Sequence, residues 1–300
     1  MLDAMLLGIG GTYPLPKRYL TSLYCTYNGN AILIDAGEGT QIAMKTMNLS
    51  PTAISTIAIT HFHGDHTLGI PGVLLSMSNG GRTRPVTIIG PKGIEEKCKG
   101  LLATTEYLGF DIIYKEINGD EDKFKIDNNY YLNAFKVKHS SDVETFGFTV
   151  SVSRNREFQI EKIKKDNVPM KYWSILQKGN DVENYKADDY LGPLRSGLKI
   201  CYSTDTRPCE LLEKYANNSD LLVLEAMYLN DNYERAEEKA HMLGSEAIEI
   251  AIRAHAKKVW LTHFSPMITN DEIREFAEKY KHYSELDVTT KNNKIILNYK

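Results

Sequence analysis

A chain of 300 residues, 42% of them hydrophobic, has material for one large core or two ordinary ones. Its formal net charge of −3 excludes a global field that would draw nucleic acid or an anionic membrane, so a nucleic-acid partner needs a local basic patch. The four cysteines (Cys25, Cys98, Cys201, Cys209) are scattered without a CxxC pair, which argues against a thiolate zinc site and for a reducing compartment. The start, Met1-Leu2-Asp3-Ala4-Met5, lacks the basic and apolar regions of a signal peptide, and no apolar run approaches the ~20 residues of a membrane span. A soluble cytoplasmic protein with no membrane partner is expected.

In chain order, Ala4 to Leu7 reads as a first strand, followed by Gly8-Ile9-Gly10-Gly11-Thr12. Tyr13 takes the third glycine position of a dinucleotide fingerprint and no helix follows, so this loop is not one. Pro14 and Pro16 enforce a loop. Thr21 to Tyr27 and Ala31 to Ile34 are predicted to form a hairpin across Asn28-Gly29-Asn30. The second strand ends in Asp35-Ala36-Gly37-Glu38-Gly39, and a helix is predicted from Thr40 to about Asn48. Asp35 is either a turn carboxylate or a partner that orients a ligand histidine.

Ala53 to Thr60 is β-branched and apolar, the pattern of a buried strand. It runs into Thr60-His61-Phe62-His63-Gly64-Asp65-His66, which holds three of the eight histidines and a carboxylate. His61 and His63, two apart in near-extended backbone, point to one side, while a turn at Gly64 swings Asp65 and His66 toward a second point. One turn can thus feed two metal ions, and imidazole with carboxylate suits zinc. A lone histidine is ordinarily only packed or solvated; four potential ligands after one apolar strand call for metal. Thr67 to Ser78 reads as a helix, with Gly69 and Pro71-Gly72 loosening its start.

Further on, Pro85 to Gly90 is a predicted strand and Lys92 to Leu108 a helix. Asp111 to Ile117, Tyr130 to Lys138 and Val143 to Val152 are predicted strands, the second ending at His139. Arg154 to Lys178 carries seven basic and three acidic residues, a local charge of +4, with Tyr172 and Trp173 among them. Such a run is either a solvated helix face or an arm for a phosphate backbone, its aromatics free to stack on bases. Leu198 to Tyr202 is the next strand, before Ser203-Thr204-Asp205-Thr206-Arg207-Pro208. A short helix from Cys209 to Tyr215 and a strand from Leu221 to Leu224 follow, the strand ending at Glu225. Asn230 to Lys239 is a polar stretch, and His241 stands just before an amphipathic helix from Gly244 to Ala256. Val259 to Leu261 is a strand closed by Thr262-His263, Asp271 to Tyr283 a charged helix and Lys294 to Asn298 a last strand.

Asp35, His61, His139, Asp205, Glu225 and His263 each follow an apolar strand. In a layered α/β protein this gathers them on one edge of the core, on rigid supports.

The pattern resembles the metallo-β-lactamase superfamily, whose HxHxDH motif matches His61, His63, Asp65 and His66. Gly10-Gly11-Thr12, Arg18, Ser22, residues 35–40, Gly69-Ile70-Pro71-Gly72, the Asp205-Thr206-Arg207-Pro208 segment, His241 and Leu261-Thr262-His263-Phe264-Ser265-Pro266 look like its ribonuclease Z branch. The resemblance implies one domain over residues 1–300, a four-layer αββα sandwich with an inserted substrate-binding arm at 154–197. It implies two zinc ions per chain, replaceable by manganese or iron: one on His61, His63 and His139, the other on Asp65, His66 and His263, with Asp205 bridging. It further implies a homodimer that hydrolyses a phosphodiester to remove the 3′ trailer of precursor tRNA, with Asp65 holding the attacking water, His241 as acid and Glu225 orienting it. The chain departs from the family's usual residues at Leu224, Met227, Met242-Leu243 and Met267. A zinc phosphodiesterase for a smaller ester and a non-catalytic metal-binding protein are the alternatives.

Overall fold

In the computed structural model, which describes residues 1–105, 107–280 and 293–299, the two-residue period of the apolar positions builds two sheets. Strand β1 (Leu2–Gly8) pairs with the hairpin of β2 (Ser22–Tyr27) and β3 (Asn30–Ile34). Asn28 and Gly29 both have positive φ, at 48° and 79°, the left-handed pair that a two-residue hairpin loop requires. The chain continues through α1 (Thr40–Thr46), β4 (Ile54–Ala58), α2 (Gly64–Thr67), α3 (Ile70–Asn79), β5 (Val86–Gly90), α4 (Ile94–Leu101) and β6 (Ile112–Glu116). Next come β7 (Glu121–Asp127), β8 (Tyr130–Lys136), β9 (Phe146–Arg154), α5 (Ile160–Lys165), α6 (Met170–Gln177) and β10 (Arg195–Tyr202). Last are α7 (Glu210–Ala216), β11 (Leu221–Glu225), α8 (Tyr233–Lys239), α9 (Gly244–Arg253), β12 (Val259–Thr262), α10 (Asn270–Tyr280) and β13 (Asn293–Leu297).

One sheet has the order β13-β1-β2-β3-β4-β5-β6 and the other β12-β11-β10-β9-β8-β7. Strands β3 to β6 run parallel, as do β10 to β12, so within each set the carboxyl ends share one edge. Met5, Leu7, Leu33, Ile57 and Ile88 pack in the cluster under the outer helices of the first sheet. Leu6, Ile32, Ile34 and Ala58 alternate with them and are fully buried too, so they face the second sheet. Each such Leu or Ile contributes about 1.5–3 kcal/mol by burial. The Tyr130 hydroxyl of β8 donates across this inner layer to the carbonyl of Cys25 on β2. With α1 and α4 on the outside of the first sheet and α7 and α9 on the outside of the second, the architecture is αββα. Among the described residues no helix is long and apolar enough to cross a membrane.

Several elements differ from the sequence reading. The helix predicted from Lys92 to Leu108 stops at Leu101, before Thr104 and Thr105, whose branched side chains disfavour helix; residue 106 lies outside the described residues. Strand β7 is new: its acidic and basic residues hide the alternation that partly buries Phe124 and Ile126 at a sheet edge. The polar stretch at 230–239 contains α8, a helix with a single buried residue, Ala236. The helix at Thr67 to Ser78 is split, Gly64–Thr67 forming one turn before α3. Residues 281–283 of the predicted charged helix lie outside the described residues.

The chain divides into two compact units, Met1–Ser151 with Leu198–Asn298, and Val152–Gly197 with Tyr299. The smaller unit has its own core, built on Ile163, Tyr172, Leu176 and Tyr190. Tyr172 is buried there and donates its hydroxyl to Glu183, while Trp173 donates its indole N–H to the Val168 carbonyl at 2.9 Å. Tyr172 is therefore used in packing, while Trp173 is half-buried against the same core. Arg156 is likewise held internally, by the carbonyls of Gly192 and Leu191 and by Asp188. Lys162, Lys164, Lys165, Lys171 and Lys178 are exposed.

Candidate metal centre

The strand ends deliver their side chains to one site. Asp35 follows β3, His61 lies just beyond β4, His139 beyond β8 and Asp205 beyond β10, Glu225 ends β11, and His263 follows β12. Three of the turning residues there, Asp35 (φ 58°), Thr204 (φ 56°) and His263 (φ 59°), occupy left-handed backbone without being glycine. Such conformations persist where surrounding structure fixes them. At His263 that structure is backbone: Phe264 donates its N–H to the Ile9 carbonyl, and Gly11 donates its own to the Phe264 carbonyl. Gly11 is needed here, since a Cβ would stand 2.7 Å from the His263 ring.

Two groups of ligand atoms result. His61, His63, His139 and Asp205 offer atoms that all lie within 4.8 Å of one another, and so do Asp65, His66 and His263. In the first, Nε2 of His61 is 3.0 Å and Nε2 of His139 is 3.4 Å from Nδ1 of His63. In the second, Nε2 of His263 lies 3.3 Å from Nε2 of His66 and 3.2 Å from Oδ2 of Asp65. Asp205 faces both groups, with Oδ2 at 3.8 Å from His61 and 3.4 Å from His66, and Oδ1 at 3.2 Å from His263. All seven residues named as ligands from the sequence therefore converge.

Hydrogen bonds behind the rings decide which nitrogens point inward. Asp35, fully buried, accepts from the Thr60 N–H at 2.9 Å, the Thr60 hydroxyl at 3.0 Å, His66 Nδ1 at 2.8 Å and the Tyr202 hydroxyl at 3.3 Å. Because Thr60 gives its proton to Asp35, its oxygen accepts from Thr204 and from His61 Nδ1. His139 donates Nδ1–H to the carbonyl of Ala240 at 3.0 Å. The Nε2 lone pairs of His61 and His139 are thus left facing the centre. Thr60, Thr204, Tyr202 and the Ala240 carbonyl were not singled out from the sequence. A hydroxyl beside a ligand carries no spacing signal, and a backbone carbonyl carries no sequence signal at all.

The electrostatics suit a cation. Burial, and then His66, pushes His61 well below the usual histidine range. Burial works against charge on His66 too, but Asp205, Asp35 and Asp65 overcome it and hold His66 well above that range. Burial also opposes ionisation of Asp65 and Asp205, yet the neighbouring histidines hold both well below the carboxylate range. Buried Asp205 Oδ1 and His263 Nδ1 have no hydrogen-bond partner among the described residues. Lone pairs in excess of protons, on imidazole and carboxylate, are the donor set of a divalent metal.

Beside this centre His241 directs Nδ1 at Oε1 of fully buried Glu225, 3.0 Å away. Glu225 is fixed in turn by the N–H groups of Thr206 and Met227. Burial disfavours a charged His241, but Glu225 prevails and pushes it up to about 9. Asp65 accepts the Thr12 N–H at 2.7 Å. Asp65, Asp205, His241 and His263 line one side of a cavity of about 470 Å³, with Tyr13 and Met227 also on its wall. Of the departures from the family pattern, Leu224 is fully buried and by the strand pleat faces away from Glu225, while Met267 is 81% exposed.

Comparison with known proteins places this site in context. Residues 2–173 match the family model described as Anti-Pycsar protein Apyc1. A ribonuclease Z from Agathobacter rectalis is 45% identical over 291 residues, covering 93% of this chain and 95% of the relative. One from Clostridium acetobutylicum is 44% identical over 283 residues, 91% of each chain. The crystal structure of the short form of human tRNase Z superposes with a TM-score of 0.71 at 24% identity, covering 99% of both chains.

Proposed function

The chain belongs to the ribonuclease Z family, and from that we propose that it is a metal-dependent endonuclease that removes the 3′ trailer of precursor tRNA by hydrolysing one phosphodiester. The observation that carries this reading is a full set of seven ligand-type side chains with His241 beside them, in a chain 45% identical to a ribonuclease Z over 93% of its length.

Two zinc ions fit the two groups. His61, His63 and His139 would hold one, Asp65, His66 and His263 the other, with Asp205 between them; manganese or iron suits the same donors. When bound, the ions supply Lewis acidity that makes water nucleophilic at neutral pH and polarises a phosphoryl oxygen. Asp65, anchored by the Thr12 N–H, orients the attacking water and takes its proton. His241, kept protonated by Glu225, gives its proton to the leaving 3′-oxygen as the P–O3′ bond breaks. The products are a 3′-hydroxyl on the tRNA body and a 5′-phosphate on the trailer. The unit at Val152–Gly197, with its exposed lysines, serves as the arm that binds the phosphate backbone electrostatically. The family resemblance supports a homodimer, which analytical ultracentrifugation tests, and a cytoplasmic location, which cell fractionation tests.

A second reading, a phosphodiesterase for a smaller ester, is favoured by the internal use of Tyr172. The deciding experiment incubates zinc-loaded protein with a precursor tRNA bearing a 3′ trailer. A single cut near the discriminator base, lost on Asp65→Ala, supports the first reading. No cut, from protein that still hydrolyses bis(p-nitrophenyl) phosphate, supports the second.

A further inference from the structure

His241 does not sit on a strand or a helix. It lies between α8 and α9, directly after Ala240, which has φ 53° without being glycine. A strained junction of this kind leaves the ring's position undetermined unless something outside the segment fixes it. Glu225 holds the ring at one nitrogen only. The main chain is held at its N–H, which donates to the Ala236 carbonyl at 2.9 Å, and at its carbonyl by Arg207. One guanidinium nitrogen donates to the His241 carbonyl at 2.8 Å and to Glu246 at 2.6 Å, and the other donates to the second Glu246 oxygen at 2.7 Å. The same group pairs with Glu237 on α8 at 2.5 Å, and Glu246 also accepts the N–H of Leu243 at 2.9 Å. Four acceptor atoms, one on Glu237, one on His241 itself and two on Glu246, are thus gathered on a side chain that is 12% exposed. At its own backbone Arg207 donates to the carbonyl of Lys138 at 2.7 Å, next to His139, and it stands two residues from Asp205. Arg207 thus registers the ring on this loop with the ligands on the strand ends, alongside the bond from His139 Nδ1 to the Ala240 carbonyl.

We infer that Arg207 is a positioning residue for the hydrolytic step, acting through His241, an inference that rests on the reading of His241 as the general acid. Only a planar fork with several fixed donors can serve these acceptors together; the point charge of lysine cannot.

The test uses metal-loaded wild type, Arg207→Met, His241→Ala and the double variant, with rates taken per bound metal. On precursor tRNA, Arg207→Met is expected to lower kcat roughly 10–100-fold, the scale for loss of a supporting hydrogen bond around such a site. On bis(p-nitrophenyl) phosphate the loss should stay within about 3-fold, because p-nitrophenolate leaves without protonation. In the His241→Ala background, adding Arg207→Met should cost less than about 3-fold on precursor tRNA. Equal losses on the two substrates, or losses that multiply in the double variant, would overturn the inference and leave Arg207 as a structural tie. If Arg207→Met does not fold, Arg207→Lys and Glu246→Gln carry the same comparison. If the wild type hydrolyses the small diester but cuts no precursor tRNA, it is the substrate reading that fails. A dinucleotide with an alkoxide leaving group then replaces the RNA in the same four-protein comparison.

Discussion

Replacing Glu225 by Gln keeps the side chain's shape and removes its charge. In the native site the carboxylate is fully buried and lies 3.0 Å from Nδ1 of His241. Burial favours the neutral ring, and Glu225 more than reverses this, taking His241 from an ordinary 6.5 up to about 9. That difference amounts to about 3 kcal/mol in favour of the imidazolium. Without that carboxylate only Asp205 and Asp65 still oppose burial, and the ring's pKa falls back toward its ordinary value. A general acid must carry its proton, so the rate is full below the pKa of His241 and is lost as pH rises through it. The wild type should hold its rate until pH approaches about 9, and Glu225→Gln should begin to lose it closer to 6.5. At about pH 8 the variant should be slower by up to roughly 30-fold, and at about pH 6 nearly equal. Cations on the neighbouring ligands lower both limbs, so the measured quantity is their separation, up to about 2 pH units. Single-turnover cleavage of precursor tRNA from about pH 6 to 10, with metal content checked at each point, reads it. Coincident limbs, or the same loss at every pH, would refute the assignment of His241 as the acid.

Asp35→Asn removes the charge behind His66 and Thr60, and should weaken metal affinity by roughly 10–100-fold in a chelator competition; an unchanged affinity would make Asp35 a turn residue only. In the metal-free protein the surrounding carboxylates hold a proton on His66, so metal uptake at neutral pH should release protons and weaken as pH falls. Calorimetry in two buffers of different ionisation heat measures this, and identical heats would contradict it. Changing Lys162, Lys164, Lys165 and Lys171, all exposed, to Gln should raise KM for precursor tRNA and flatten its salt dependence while leaving bis(p-nitrophenyl) phosphate hydrolysis within about 2-fold. An equal loss on both substrates would assign these lysines a structural role.

Most of the strands and the whole ligand set could be read from the residues, for different reasons. Strands such as β4 and β11 are short apolar runs between turn signals, a pattern that local chemistry fixes. The Asn28-Gly29 hairpin is legible because few residues tolerate its backbone. His61, His63, Asp65 and His66 announce a metal centre because no packing requirement places four such side chains together. Where periodicity is masked by charge, as in β7, or absent, as in α8, the sequence is silent because tertiary neighbours decide whether the segment is ordered. The use of Tyr172 in the small unit's own core was equally hidden, since an aromatic in a basic run serves packing or stacking with the same composition.

By itself, then, the sequence determined the alternation of strands and helices, the ligand types and their position at strand ends, because these follow from local periodicity and side-chain chemistry. Only the tertiary structure decided which nitrogens of His66, His61 and His139 face inward, through Asp35, Thr60 and the Ala240 carbonyl. It alone decided that Arg207 and Glu225, 34 and 16 residues earlier in the chain, both reach His241. Those relations join residues distant in sequence through hydrogen bonds a few ångströms long, and such distances exist only once the two sheets have packed.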